Sequence, residues 1–236
     1  MCGAYGLSVK DAKEVYDRFD IENTLDSFKP RYNIRPGQLN PIVTSSGDHN
    51  ELSFMFWGLL PHWARDEKYK YKTINAKVET VAELPSYREP FRKKRCLIPA
   101  TGFYEPDKLH VSKPPFPWHY FHLKDQSLFA FAGLYDVWKD KQSDKEIYSY
   151  TLITTQPNAV VGSVHDRMPV ILRKEDEKTW LDPDIIEPKE LFSLLTQYPA
   201  KDMEEWEVGA EARNPRNDYP ELIEPKQAEQ QGSLLS

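Results

Sequence analysis

Apolar positions recur at helical spacing in residues 10–20, KDAKEVYDRFD, where Ala12, Val15, Tyr16 and Phe19 share one face and Asp11 stands where a capping side chain belongs. The period then shortens. NPIVTSS and LSFMFWGLL read as two strands around a turn at GDHN. Residues 62–95 are polar and irregular, with a short helical piece expected near 78–84. Strand character returns at RCLIPATGFYEP, and PWHYFHL, SLFAFAGLYDVW and IYSYTLITT follow as three strands of an expected antiparallel meander. Residues 174–181 and 188–196 suit short helices. No internal repeat or Gly/Ser linker divides the chain. The expected fold is α+β: one domain over residues 2–225, an antiparallel, barrel-like sheet flanked by short helices, with 226–236 a disordered tail.

Composition narrows this picture. A chain of 236 residues forms one large domain or two small ones, and 13% aromatic residues supply core surface. Nineteen prolines against ten glycines favour fixed turns over a helix bundle. There is no apolar run of membrane-spanning length and no basic, apolar leader, so a soluble cytoplasmic protein is expected, nucleoid-associated if bacterial. Two cysteines, Cys2 and Cys96, exclude a cysteine-clustered zinc site. His119 and His122 lie three apart but enclose Tyr120 and Phe121 in a strand-like string, so no metal is expected, and no cofactor. Net charge is −6, yet residues 62–95 hold ten Lys/Arg against five acids. That tract is either a solvated basic loop or a phosphate-binding face on an acidic protein.

Four polar residues stand in apolar or turn-like strings: Cys2, Asn75 in TINAKVET, Glu105 in GFYEP and His165 in SVHDRMPVIL. Each has a plain alternative, respectively a small core residue, a helix N-cap, a solvated strand end and a satisfied turn residue. Together they would supply a nucleophile, an acid/base carboxylate, an imidazole and an orienting amide. Phosphate-loop, dinucleotide and serine-elbow glycine motifs are absent. Any chemistry falls to the cysteine. Removal of Met1 would leave an α-amine and a thiol on one residue.

The series Cys2, RYNIRPGQ (31–38), FWGLLPHWA (56–64), NAKVET (75–80), RCLIPATGFYE (95–105), FAGLYDVW (131–138) and HDRMPVIL (165–172) resembles, in order and over nearly the whole chain, the SOS-response-associated peptidase (SRAP) family of abasic-site processing proteins. The resemblance implies covalent capture of abasic sites in single-stranded DNA by a monomer, with Cys2 the catalytic N-terminus and Asn75, Glu105 and His165 the other active-site positions. It implies DNA contact by Lys77, where the family usually has arginine, and by Trp63 and Pro36, which match positions that meet unstacked bases or wedge at a junction. Two departures stand out. The family usually begins Cys-Gly-Arg and usually follows the glutamate with tryptophan, whereas this chain has Ala4 and Pro106. Arg35, Lys77, Arg88, Lys94 and Arg95 are the residues expected to compensate.

The chemistry suits the residues. An open abasic sugar carries an aldehyde; an amine forms an imine with it and a neighbouring thiol closes a five-membered thiazolidine, with intramolecular advantage at the second step. An α-amine titrating at about 8 is far more available near neutrality than a lysine at about 10.4. Imine formation also permits weak lyase chemistry. A cysteine (auto)peptidase using Cys2, His165 and Glu105, or a non-covalent single-strand-binding module, are the competing readings.

Overall fold

The computed structural model describes residues 2–24, 28–46, 49–140 and 143–227. In chain order its strands are β1 (Tyr5–Leu7), β2 (Arg31–Ile34), β3 (Leu39–Ser45), β4 (Asn50–Trp57), β5 (Asn75–Lys77), β6 (Arg95–Ala100), β7 (Gly102–Pro106), β8 (Trp118–Leu123), β9 (Phe129–Lys139), β10 (Glu146–Thr155), β11 (Met168–Pro169) and β12 (Met203–Val208). Among the described residues four short α-helices accompany them: α1 (Ala12–Phe19), α2 (Arg88–Lys93), α3 (Lys174–Leu181) and α4 (Pro188–Leu194). The helical periodicity of the first segment yields α1 as expected, with Asp11 accepting the Lys13 N–H at 3.0 Å and Val15 and Phe19 buried.

Five of the strands close on themselves. β3 pairs with β4, β4 with β10, β10 with β9, β9 with β6 and β6 back to β3. Closure leaves no free edge within this ring. β10 runs parallel to β4 and to β5, so the barrel is mixed rather than wholly antiparallel. Its interior is filled by aromatic residues: Tyr5 meets Trp57 at 5.2 Å and Phe131 at 5.8 Å between ring centroids. The tyrosine hydroxyls find partners there, Tyr5 with Tyr150 at 2.7 Å and Asn40 Nδ2 donating to Tyr150 at 3.0 Å.

A second sheet, ordered β12-β8-β7-β1-β2, lies beside the barrel. It corrects the expected meander: β8 does not continue into β9 but pairs with β7 and β12. The acidic run MEEWEV, which carried no strand signal, forms β12 because Trp206 and the ends Met203 and Val208 pack against β8 and its neighbours. β7 approaches β8 so closely that a Cβ on Gly102 would stand 2.2 Å from the Tyr120 ring. The tract 62–95 contains a 3-10 turn at Glu67–Lys72, then β5 and α2; the helical piece expected near 78–84 is a run of turns. Lys226 still bonds to β12, its N–H donating to Glu207 O at 2.8 Å, and the rest of the expected tail, from 228, lies outside the described residues. Among the described residues no helix is long and apolar enough to cross a membrane.

Candidate active site

The site forms where the second sheet meets the barrel. β1 runs antiparallel to β7 with Tyr5 opposite Phe103, and the Tyr104 N–H donates to Ala4 O at 2.9 Å. Continuing that register sets the Cys2–Gly3 segment beside Glu105. From the barrel side, β5 lies parallel to β10 with Asn75 opposite Leu152. Asn75 Nδ2 donates to the Cys2 carbonyl at 2.8 Å, and Tyr87 Oη donates to the Asn75 carbonyl at 3.2 Å. Asn75 is therefore a strand residue and not a helix cap. Its Oδ1 is buried with no hydrogen-bond partner among the described residues, an acceptor in place for a further donor. Cys2 is held and not frayed: it is 1% exposed.

Burial sets the charge state of the groups around it. Glu105, 1% exposed and so no solvated strand end, has its carboxyl pushed up to about 8 by desolvation. His165 Nε2 lies 3.6 Å from Glu105 Oε2. His165 Nδ1 lies 3.1 Å from the Arg167 N, 3.3 Å from the Arg167 O and 3.1 Å from Asp166 Oδ1, so the turn 165–167 orients the ring with Nε2 facing the glutamate. Burial pushes the imidazole below its ordinary value. It pushes the Cys2 thiol well up, the nearby Glu105 adds to this, and Arg35 opposes it; the thiol hydrogen bonds to Ala4 O at 3.6 Å. Near pH 7 the glutamic acid, imidazole and thiol thus rest predominantly uncharged, the arrangement expected where protons move during a reaction.

Two supporting residues are not singled out by the sequence. Arg167 forks onto Glu79 (2.5 and 2.9 Å) and donates to Thr154 O at 2.7 Å, fixing the His165 turn against β5 and β10. Both lie inside the quoted motifs NAKVET and HDRMPVIL, and their partnership spans 88 positions of chain.

The residues proposed for DNA contact divide. Trp63 is 45% exposed on a rigid loop: Ser149 Oγ accepts from the Leu60 N–H, the buried Asp136 from the His62 N–H, and Trp138 Nε1 donates to Ala64 O, each at 2.8 Å. Lys77 and Arg88 are exposed, and Pro36 and Arg35 are half-buried. Arg95 leaves this set. It is buried, and its guanidinium donates to the carbonyls of Trp180, Phe91, Arg92 and Asp182, closing the ends of α2 and α3. Lys94 is paired at 2.6 Å with Asp136. Among the described residues no three His, Cys, Asp or Glu side chains group as metal ligands do.

A family model described as SOS response associated peptidase (SRAP) matches residues 1–215. The chain belongs to the SRAP family. Relatives include the abasic site processing protein YoqW of Bacillus subtilis, 43% identical over 226 residues covering 95% of this chain and 99% of that one. The abasic site processing protein HMCES of Xenopus tropicalis is 30% identical over 225 residues, covering 84% of this chain and 67% of that protein. A crystal structure of a protein from Bacteroides thetaiotaomicron shares the SRAP fold described here, with a TM-score of 0.85 and 30% identity over 96% of this chain and all of the other.

Proposed function

We propose that this SRAP protein captures abasic sites in single-stranded DNA, as a monomer without metal or cofactor, by forming a thiazolidine on Cys2 once Met1 has been removed. The observation that carries the reading is the tethering of Cys2 by Asn75 beside a buried carboxyl titrating at about 8. The α-amine adds to the sugar aldehyde to give a carbinolamine. Glu105, still protonated, gives its proton to the departing hydroxyl, which leaves as water, and becomes a carboxylate beside the iminium. The thiol then attacks the iminium carbon while its proton passes to Glu105, which returns to its starting state. His165, whose Nε2 faces Glu105, steadies the transient carboxylate and the sugar oxygen. Asn75 holds the Cys2 backbone, and its Oδ1 accepts from the reacting amine.

Lys77, Arg88 and Arg35 would meet phosphates, while Trp63 and Pro36 meet bases, a reading that needs no particular base sequence. The pinned, exposed indole supports this role. A thiol–imidazole peptidase is less well supported, since the Cys2 thiol bonds to Ala4 O while His165 faces Glu105. Incubation with single-stranded DNA containing one abasic site tests the proposal: a heat-stable, Cys2-dependent adduct is expected, and reversible binding alone would refute it.

A further inference from the structure

The two positions that depart from the family motifs each have a substitute elsewhere in the fold. β1 and β2 are antiparallel with Tyr5 opposite Ile34, and the residues that follow outward from this pair are Ala4 on one side and Arg35 on the other. β7 and β8 are antiparallel with Pro106 opposite Trp118. An indole therefore lies across from residue 106, and it packs against the cluster that holds Ala4.

The two substitutes also meet. The Arg35 guanidinium carbon lies 4.7 Å from the Trp118 ring centroid, in cation–π geometry. Arg35 Nε donates to Asn33 Oδ1 at 2.7 Å and Nη2 donates to Ala212 O. Asn33 is itself fixed, its Nδ2 donating to the Ala212, Asn214 and Asn217 carbonyls. One face of the guanidinium and two of its nitrogens are thus occupied, whereas Nη1 has no hydrogen-bond partner among the described residues. A planar cation so held, near enough to Cys2 to act on its thiol, presents a fixed donor to an anion.

We infer that Arg35, oriented by Trp118 and Asn33, binds a phosphodiester flanking the sugar that reacts with Cys2, so that the missing residue-4 guanidinium is replaced by the one that follows β2. This rests on the abasic-DNA reading above. Arg35 then selects a sugar within a nucleic-acid chain over a free aldehyde, and Trp118 is its positioning residue.

The test compares wild type, Arg35→Met, Arg35→Lys and the double variant Ala4→Arg/Arg35→Met on abasic single-stranded DNA across a salt series, and on free 2-deoxyribose, which has no phosphate. Methionine keeps an apolar stem on Trp118 and removes the charge. Arg35→Met should slow the DNA reaction about tenfold or more, as loss of a charged hydrogen bond does, and lower the salt slope of DNA binding by about 0.7. Reaction with 2-deoxyribose should fall by much less, through the loss of the guanidinium's effect on the Cys2 thiol alone. Arg35→Lys should regain the salt slope but only part of the rate, and the double variant should regain both. An unchanged DNA rate and slope in Arg35→Met would overturn the inference, as would equal losses on DNA and on 2-deoxyribose. A wild type that binds abasic DNA without an adduct would instead refute the capture reading, and the salt slope would still report on Arg35.

Discussion

Cys2 and Cys96 are both withdrawn from solvent, at 1% and 0% exposure, and burial raises both thiols. Their surroundings differ in kind. Cys96 lies in the barrel wall opposite Gly133, so tightly that a Cβ on Gly133 would come within 2.8 Å of its sulfur, and desolvation alone acts on it. Around Cys2 stand an amide on its carbonyl, a buried acid, an imidazole on that acid and a guanidinium. Dryness alone makes an inert thiol; a reagent needs neighbours that can take and return a proton while the chain end is held still.

The sharpest break of this comparison is to remove each sulfur in turn. Cys2→Ser should abolish the heat-stable adduct and leave only an imine, seen as a borohydride-dependent band on a denaturing gel. Cys96→Ala should keep the adduct and lower unfolding free energy by about 1–3 kcal/mol in a urea titration. An equally stable adduct in Cys2→Ser would remove ring closure from the account.

Next comes the acid that distinguishes the two sites. Glu105→Gln should slow capture by about 10²–10⁴-fold. In wild type the adduct rate should fall as pH rises through about 8, where Glu105 loses its proton, and the variant should lack that limb. The same shift acts on stability. A carboxyl whose folded value is raised holds its proton more tightly when folded, so its contribution is full at low pH and is lost as pH rises through the folded value of about 8. Glu105→Gln should therefore be the more stable protein at pH 8, by roughly a few kcal/mol, and should lose that advantage at acid pH.

A smaller effect separates the two faces of the molecule through their tryptophans. Trp63→Ala should weaken single-strand binding by about 1–3 kcal/mol and barely change stability, because the ring is exposed. Trp180→Ala, in the core, should cost about 3–5 kcal/mol of stability. The smallest expected effect contrasts two cations of the basic tract. Lys77→Ala should lower the salt slope of binding by about 0.7 without destabilising the fold. Arg95→Ala should leave the slope alone and destabilise the protein by about 1–3 kcal/mol, since its carbonyl partners lose their donor.

Local features were legible in the chain. The apolar spacing of Val15 and Phe19 with Asp11 ahead of them defines α1, and residues 174–181 form α3 with those same bounds. Cys2, Asn75, Glu105 and His165 stand out as polar residues in apolar or turn-like strings, and the fold brings Cys2 to Asn75 and Glu105 to His165 from separate strands and turns. What escaped was long-range pairing. Nothing within PWHYFHL says that it pairs with MEEWEV instead of the next strand, because β pairing is decided by partners far away in the chain. Arg95 read as one more charge in a basic run; only the folded ends of α2 and α3 bring four carbonyls to it. The absence of arginine at residue 4 likewise reads as a deficit from the chain alone; only the fold lays the Arg35 guanidinium over Trp118, which packs against the cluster holding Ala4.

The most direct measurement is the intact and peptide mass of the product formed with abasic single-stranded DNA. The account predicts a mass equal to Met1-free protein plus DNA less one water, with the modification on the peptide that begins at Cys2 and resistant to heat without reduction. A DNA adduct on an internal lysine, or on a peptide that still carries Met1, would contradict it.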